Sequence, residues 1–231
     1  MTPLLSGRGL LKRYGSQYAL AGVDIDIAAG EVLAIVGPSG SGKTSLLHVL
    51  AGILKADQGQ IRLAGQSIDQ LSETKRSELR RTEFGFVFQS GMLVSELTAE
   101  ENVALPLLLG GRDKGMAIST ARTWLGRLGL EGKEARRPGE LSGGEAQRVA
   151  IARAIAHRPK VIFADEPTGA LDTKTGHATV HALIEAARET GAAVIVVTHD
   201  RELAANLPRT VAIRDGRIEV PAVTGAGQVG A

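Results

Sequence analysis

The segment "GPSGSGKT", residues 37–44, has the composition of a loop that binds phosphate. Glycines let backbone N–H groups approach a phosphate closely, and the start of a following helix adds a favourable dipole. Lys43 would then reach the β- and γ-phosphates of a nucleotide, and the Thr44 hydroxyl would bind Mg²⁺. A glycine-rich turn with a solvated lysine is the alternative, and the predicted strand before the loop and helix after it disfavour that alternative. The predicted nucleotide-binding residues here are Gly37, Pro38, Ser39, Gly40, Ser41, Gly42, Lys43, Thr44 and Ser45.

Two adjacent carboxylates end the apolar segment "VIFADEP", residues 161–167. Asp165 would hold Mg²⁺, and Glu166 would sit beside the γ-phosphate and polarise an attacking water. Two acids at the end of a strand can also be loop charges or helix caps. The phosphate-type loop upstream favours the catalytic interpretation.

Two further polar residues follow apolar strands. His199 comes after "AVIVVT", where an imidazole could donate a hydrogen bond to charge developing on a γ-phosphate. A lone histidine near a strand end is more often structural. Gln89 ends "FGFVFQ" and offers an amide oxygen to a metal and an NH₂ group to a water, although glutamine there is otherwise unremarkable.

A second glycine-rich helix start is "LSGGEAQR", residues 141–148. Ser142 and Glu145 have the spacing of a capping box, which needs no ligand. A capped helix start with two glycines also offers N–H groups and a positive dipole end to an anion. The spacing is compatible with both interpretations.

The elements that must position these residues form an α/β pattern. Short apolar runs predict buried parallel strands at 31–37, 84–89, 160–166 and 192–200. Alternation at 23–27 and β-prone segments near 4–14 and 59–64 predict a small antiparallel sheet. Helices are predicted at 42–52, 98–109, 116–129 and 145–157, with Pro106 ending or kinking the second. We therefore expect one domain, 1–220, with a parallel-sheet core, an N-terminal antiparallel β-subdomain, an inserted helical subdomain at about 90–157, and a disordered tail at 221–231.

The composition excludes several classes of function. The chain of 231 residues has no cysteine, which excludes disulfides, thiolate metal sites and thiol catalysis. A net charge of +2 and 3% aromatic residues argue against a nucleic-acid partner. No apolar run approaches the roughly 18 residues that span a membrane, and the N-terminus does not resemble a secretory signal. We expect a cytoplasmic chain whose membrane role depends on a partner.

The order of these motifs resembles that of the ATP-binding cassette ATPases, a family with the phosphate-loop NTPase (RecA-like) fold. The resemblance covers nearly the whole chain, and "GALD", 169–172, belongs to it. Within the family the chain is most similar to the lipoprotein-releasing, macrolide-exporting and cell-division subunits. The segments that carry this likeness are "FGFVFQ", "LTAEENVALPLLLGG", "GELSGGEAQRVAIARAI" and "ADEPTGALD".

The resemblance implies a head-to-tail dimer of two copies that buries two ATP molecules with Mg²⁺. Tyr14 would stack on adenine, and Asp172 would touch the opposite subunit; a strand tyrosine and a helix cap are the alternatives. The segment Ser142, Gly143 and Gly144 would face the γ-phosphate bound by the other copy. Because a carboxylate near that phosphate would repel it, we expect Glu145 to turn back to its own backbone or towards a ribose hydroxyl.

The resemblance also implies a separate integral membrane permease as partner, at the cytoplasmic face of the cell membrane. Docking is expected just after Gln89, at Met92, Leu93 and Val94, unless these residues are ordinary core.

ATP hydrolysis would power export or extraction of a hydrophobic substrate such as a lipoprotein, drug, peptide or haem. A mechanical signalling ATPase of a cell-division-type complex is the alternative. A soluble kinase would need neither residues 141–148 nor "GALD", and DNA- or ribosome-acting cassette ATPases usually carry a duplicated cassette, a coiled coil or a zinc insertion, none of which is visible in this sequence. Relatives often carry Gln and Asn where this chain has Ala146 and Ala170, which leaves the cross-subunit coupling open.

Overall fold

A computed structural model describes residues 2–219 of the chain. Its strands are β1 (Leu5–Tyr14), β2 (Gln17–Ile27), β3 (Val32–Val36), β4 (Gln58–Leu63), β5 (Gln66–Ser67), β6 (Phe84–Phe88), β7 (Val161–Asp165), β8 (Ala193–Val197), β9 (Arg209–Arg214) and β10 (Arg217–Glu219). Its helices are α1 (Lys43–Leu50), α2 (Glu73–Thr82), α3 (Ala99–Leu109), α4 (Lys114–Arg127), α5 (Gly143–Ile155), α6 (Thr173–Thr190) and α7 (Arg201–Ala205), and Pro138–Glu140 forms one 3-10 turn.

The central sheet has six strands in the order β10-β9-β3-β8-β7-β6. Strands β6, β7, β8, β3 and β9 are parallel, and β10 pairs antiparallel with β9. Every residue of β8 is buried, as a strand covered on both faces requires. The four predicted core strands are confirmed, and their carboxyl ends meet at one edge of the sheet. This edge carries the candidate site.

A second, antiparallel sheet has the order β2-β1-β4-β5. In β2 the apolar side chains Val23, Ile25 and Ile27 are buried, whereas Asp24 and Asp26 are exposed. The half-exposed strand predicted from this alternation is therefore confirmed. The buried face packs with α1 and one side of the central sheet in a single apolar cluster.

Helices α3, α4 and α5 fill the chain between β6 and β7, and no strand interrupts them in this described stretch. They pack around buried residues that include Val103, Trp124 and Leu125. The predicted fold class, with an inserted helical part, is confirmed. Of the two expected effects of Pro106, the end of the helix is wrong, because α3 continues to Leu109, and the kink stays a prediction. Proline removes one backbone donor but leaves the later turns their own hydrogen bonds.

Three helices were not predicted: α2, α6 and α7. None of the residues of α2 is buried, so no apolar periodicity marks it. Its first turn is held instead by the Ser72 cap and by Glu73, which pairs with Arg76 at 2.6 Å and Arg80 at 2.7 Å. The predicted tail, 221–231, lies outside the described residues. Within residues 2–219, no helix has both the length and the apolar character needed to cross a bilayer.

Candidate ATP-binding and hydrolysis site

The glycine-rich loop lies between β3 and α1, and its backbone passes other backbone very closely. A Cβ atom added to Gly37 would lie 2.1 Å from the Ile213 carbonyl oxygen, and one added to Gly42 would lie 2.1 Å from the Ala19 carbonyl oxygen. Gly42 also has a φ of 104°. Because only glycine fits both the space and this backbone conformation, the local sequence determines the shape of the loop.

The polar side chains of the loop are directed inward. Lys43 is nearly buried, and its Nζ donates to the carbonyl oxygens of Gly37 at 2.9 Å and Pro38 at 2.8 Å. Ser41 Oγ is buried without a hydrogen-bond partner in the described structure. An ammonium group held over a loop at the start of a helix is the arrangement that binds nucleotide phosphates. The loop residues therefore fit a nucleoside triphosphate.

Thr44, in the first turn of α1, contacts Asp165, the last residue of β7. The Thr44 hydroxyl donates to Asp165 Oδ1 at 3.1 Å, and His48 Nε2 lies 3.8 Å from Asp165 Oδ2. Burial raises the pKa of Asp165, and the Thr44 hydrogen bond opposes that rise. A hydroxyl and a carboxylate are oxygen ligands of the kind that Mg²⁺ takes beside a nucleotide. The pair fits the predicted magnesium site, and sequence patterns gave no signal for His48.

Glu166 is held in a strained backbone conformation beside His199. Its φ is 47°, and its N–H donates to the Val197 carbonyl oxygen at 2.9 Å. The left-handed region is costly for a non-glycine residue and is enriched at functional sites. Glu166 Oε2 lies 3.5 Å from Nδ1 of His199, whose side chain is 66% exposed. The two residues predicted to act on the γ-phosphate and its attacking water are thus brought together.

Gln89 follows β6, whose last residue Phe88 pairs with Asp165. The Gln89 amide covers Gly169, where an added Cβ would lie 2.6 Å from the amide nitrogen. The structure therefore brings Gln89 against the loop that follows Glu166. Its role as a metal ligand stays a prediction.

Two cavities flank the glycine-rich loop. One, of about 270 Å³, is lined by Tyr14, Tyr18, Gly40 and the start of α1. The other, of about 760 Å³, is lined by Gly37, Pro38, Ser39 and His199. Tyr14 is 54% exposed, so its ring is accessible for stacking. Lys12 Nζ lies over the ring, 5.8 Å from its centre. Tyr18 was missed; its only sequence signal is its place in the same hairpin.

The second glycine-rich segment forms the predicted capping box. Ser142 Oγ accepts from the Glu145 N–H at 3.3 Å, and Glu145 Oε2 accepts from the Ser142 N–H at 2.8 Å. Lys133 Nζ, which sequence reasoning missed, lies 2.9 Å from the other Glu145 oxygen. The hydrogen bond from the Ser142 N–H, and to a smaller extent the one from Lys133, lowers the pKa of Glu145 to about 2. Glu145 thus turns back to its own backbone, as expected, and its charge is paired.

The start of α5 lies beside Asp172 rather than in either cavity lining. A Cβ added to Gly143 would lie 3.3 Å from Leu171 Cδ2, and one added to Gly144 would lie 2.6 Å from Thr175 Cγ2. Asp172 is exposed and caps α6 by accepting from the Thr175 N–H at 3.0 Å. Ser142 and Gly143 are exposed beside it, as is Ala170; Ala146 lies within α5. The predicted residues Ser142, Gly143 and Asp172 therefore form an exposed group that lines neither cavity of the glycine-rich loop.

Residues 20–169 match the family model described as "ABC transporter". The chain belongs to the ABC transporter family. It is 45% identical over 225 residues to the lipoprotein-releasing system ATP-binding protein LolD 2 of Caulobacter vibrioides, covering 96% of this chain and 99% of that protein. It is also 45% identical over 229 residues to the macrolide export ATP-binding/permease protein MacB of Nitrosomonas europaea, covering 97% of this chain but 35% of that protein.

A solved structure of the ATP-binding cassette MJ0796, a dimer in a post-hydrolysis state bound to ADP and Pi, has the same fold. The TM-score is 0.84 at 37% identity, over 94% of this chain and 97% of that one. As an ABC transporter ATPase subunit, this chain binds and hydrolyses ATP to power a membrane transporter. The loop, the two acids and His199, which are predicted to serve that activity, follow or end neighbouring strands of the central sheet.

The capping box at the start of α5 predicts a pH dependence of stability. The pKa of Glu145 is about 2 in the folded chain against 4.5 for an unperturbed glutamate, so its ionised form stabilises the fold. This contribution is complete above the unfolded value and is lost as pH falls from 4.5 towards 2. We expect the difference in free energy of unfolding between wild type and Glu145→Gln to shrink over this window, measured by urea unfolding. Glu131→Gln, an exposed acid nearby, is the control; an unchanged difference would contradict the assignment.

Proposed function

We propose that two copies of this chain pair head to tail and bury two ATP–Mg²⁺ between them. The observation that carries the proposal is the separation of the two groups of residues. Lys43 and Thr44 line a cavity of the glycine-rich loop, whereas Ser142, Gly143 and Asp172 are exposed and line neither of the two cavities beside that loop. Rotation about a two-fold axis would place each group against the other copy, twice, in an isologous interface. The dimeric state of the similar cassette MJ0796 supports this arrangement.

In the proposed site each residue has one role in cleavage of the γ-phosphate bond. Lys43 and the loop N–H groups hold the phosphates, and Tyr14 stacks on the adenine ring. A Mg²⁺ held by Thr44 and Asp165, with Gln89 nearby, would neutralise phosphate charge. Glu166 orients and polarises the water that attacks the γ-phosphorus. His199 donates a hydrogen bond to the γ-phosphate oxygens as charge develops there.

The segment after Gln89 is the proposed docking surface for a membrane permease. Its backbone is fixed: Arg153 donates to the carbonyl oxygens of Gly91 and Met92 at 2.7 Å each, and Asn102 Oδ1 accepts from the Val94 N–H at 2.8 Å. The Met92 side chain is 61% exposed, and Val94 is exposed as well. Leu93 instead packs against the core, so the core interpretation holds for that residue. A rigid segment that presents apolar side chains suits docking.

The proposed cargo is a lipoprotein, released from the membrane by the permease. The match to a lipoprotein-releasing ATP-binding protein covers nearly the full length of both chains. The macrolide exporter relatives are about three times longer, and their names join the ATP-binding part to a permease. A chain of this kind would work at the cytoplasmic face of the cell membrane, bound to a separate permease.

Co-purification tests this proposal. Tagged Glu166→Gln chain with ATP and Mg²⁺ is expected to retain a membrane permease from detergent-solubilised membranes of its own cell, together with acylated protein. Met92→Asp in the same background is expected to lose the permease, because a charge opposes an apolar contact. Aspartate tolerates the φ of 45° at Met92, so the segment keeps its shape.

Lys114→Asp, which places the same aspartate at the exposed start of α4, is the matched control and should retain the permease. A permease that carries no acylated protein would contradict the cargo, and would favour drug export or mechanical signalling. Equal recovery with Met92→Asp would contradict the docking surface.

A further inference from the structure

A histidine on α6 contacts the turn that carries His199. His177 Nε2 lies 2.8 Å from Asp200 Oδ2, and both side chains are half-buried. The other oxygen of this carboxylate, Oδ1, accepts from the Leu203 N–H at 2.9 Å and so caps α7. Each carboxylate oxygen of Asp200 therefore has its own donor. His177 is the donor that comes from outside the turn.

The turn is fixed from both sides. The Thr198 N–H donates to the Ile35 carbonyl oxygen at 3.2 Å, which ties the turn to the end of β3. The Asp200 N–H donates to Thr198 Oγ1 at 3.0 Å, and the Asp200 carboxylate reaches His177 on the opposite side. His199 is the residue between these two anchors. Its imidazole lies 3.5 Å from Glu166 Oε2, so movement of the turn would move the imidazole relative to that carboxylate.

Helix α6 links the same contact to the loop after Glu166. The helix begins at the Asp172 cap, and its residue Gly176 lies directly on Thr168, where an added Cβ would be 3.0 Å from the Thr168 side chain. His177 is the next residue. The hydrogen bond to Asp200 thus connects the start of α6, and the loop packed on it, to the turn that carries His199.

We propose that His177 is a positioning residue for ATP hydrolysis. Its hydrogen bond to Asp200 holds the His199 imidazole beside the Glu166 carboxylate. The proposal rests on the proposed role of His199 at the γ-phosphate. Because a carboxylate oxygen only accepts, Nε2 of His177 must carry the proton, and both the neutral Nε2–H tautomer and the imidazolium satisfy this requirement. The contact therefore requires a hydrogen-bond donor at position 177 and does not require a positive charge there.

Two substitutions separate the donor from the bulk of the side chain. His177→Gln places an amide NH₂ near the position of Nε2, whereas His177→Leu fills similar space without a donor, and both residues suit a helix. Loss of a hydrogen bond to a charged acceptor is expected to lower the kcat of His177→Leu about tenfold. His177→Gln is expected to keep a kcat near that of wild type. The KM for ATP and the ATP-driven dimer in the Glu166→Gln background are expected to be unchanged in both variants.

A double-mutant cycle with His199→Ala completes the test, with phosphate release as the measurement. If His177 acts through His199, His177→Leu slows the wild type but causes no further loss in the His199→Ala protein. An equal loss in both backgrounds would overturn the proposal in favour of a purely structural tether, as would wild-type turnover of His177→Leu. Urea unfolding of each variant shows whether the fold is retained, and His177→Gln provides the comparison if His177→Leu is unstable. Wild-type turnover of His199→Ala alone would overturn the role of His199 as well, so the two failures are distinguishable.

Discussion

Glu166→Gln is expected to slow ATP hydrolysis by about 10²- to 10⁴-fold, the usual contribution of a positioned general base. Glutamine keeps the size of the side chain, the contact distance to His199 and the same cost at a φ of 47°. It removes the carboxylate that polarises the attacking water. Lys43, Thr44 and Asp165 remain, so ATP and Mg²⁺ should still bind. Phosphate release per chain, followed at saturating ATP, measures the loss.

The same substitution should convert a transient dimer into a persistent one. If ATP closes the pair and hydrolysis reopens it, blocking hydrolysis traps the closed state. Gel filtration with ATP and Mg²⁺ is therefore expected to show Glu166→Gln as a dimer and the wild type mostly as a monomer.

Asp165→Asn is the matched control, because it is adjacent in sequence and equally conservative. It removes a proposed Mg²⁺ ligand, so it is expected to lose both hydrolysis and the ATP-driven dimer. Glu166→Gln with wild-type turnover, or Asp165→Asn with a stable dimer, would contradict the division of roles between the two acids.

The parts of the fold that the sequence predicted are those with local causes. The buried strands of the central sheet are continuous apolar runs, and β3 was predicted within one residue at either end. The loop at 37–44 is specified by glycines whose positions have no room for a Cβ atom. The capping box at Ser142 follows from the three-residue spacing between Ser142 and Glu145. Each of these patterns can be recognised within a short stretch of the sequence.

The contacts that were missed join residues far apart in sequence. The pair His177–Asp200 spans 23 residues, and neither member has an unusual neighbourhood. Lys133 lies in an irregular connection before α5, and nothing local directs it to Glu145. Tyr18 shares the lining of the Tyr14 cavity only because the β1–β2 hairpin brings it to the start of α1. Such pairs are set by tertiary packing, which periodicity and motif spacing do not encode.

Two different inactive chains are expected to restore activity when mixed, because each proposed site takes its parts from both copies. Lys43→Ala removes the ammonium group that holds the phosphates but leaves the start of α5 intact. Gly143→Asp leaves the loop intact and places a carboxylate where the γ-phosphate of the other copy would bind, which repels it. An acidic residue in the first turn suits the helix dipole, and the nearest side-chain atom, Leu171 Cδ2, is a flexible end, so α5 should still fold.

A mixed pair contains one site with both defects and one site with neither. Since half of the pairs in an equal mixture are mixed, and each has one complete site of two, turnover is expected to reach about a quarter of the wild-type rate in a two-fold dimer. Gly143→Asn, similar in shape but uncharged, should retain more activity than Gly143→Asp. The turnover of wild type per chain should also rise with protein concentration, because the monomer lacks half of each site. A mixture no more active than its components would show that the glycine-rich loop and the start of α5 act within one chain, and would contradict the head-to-tail proposal.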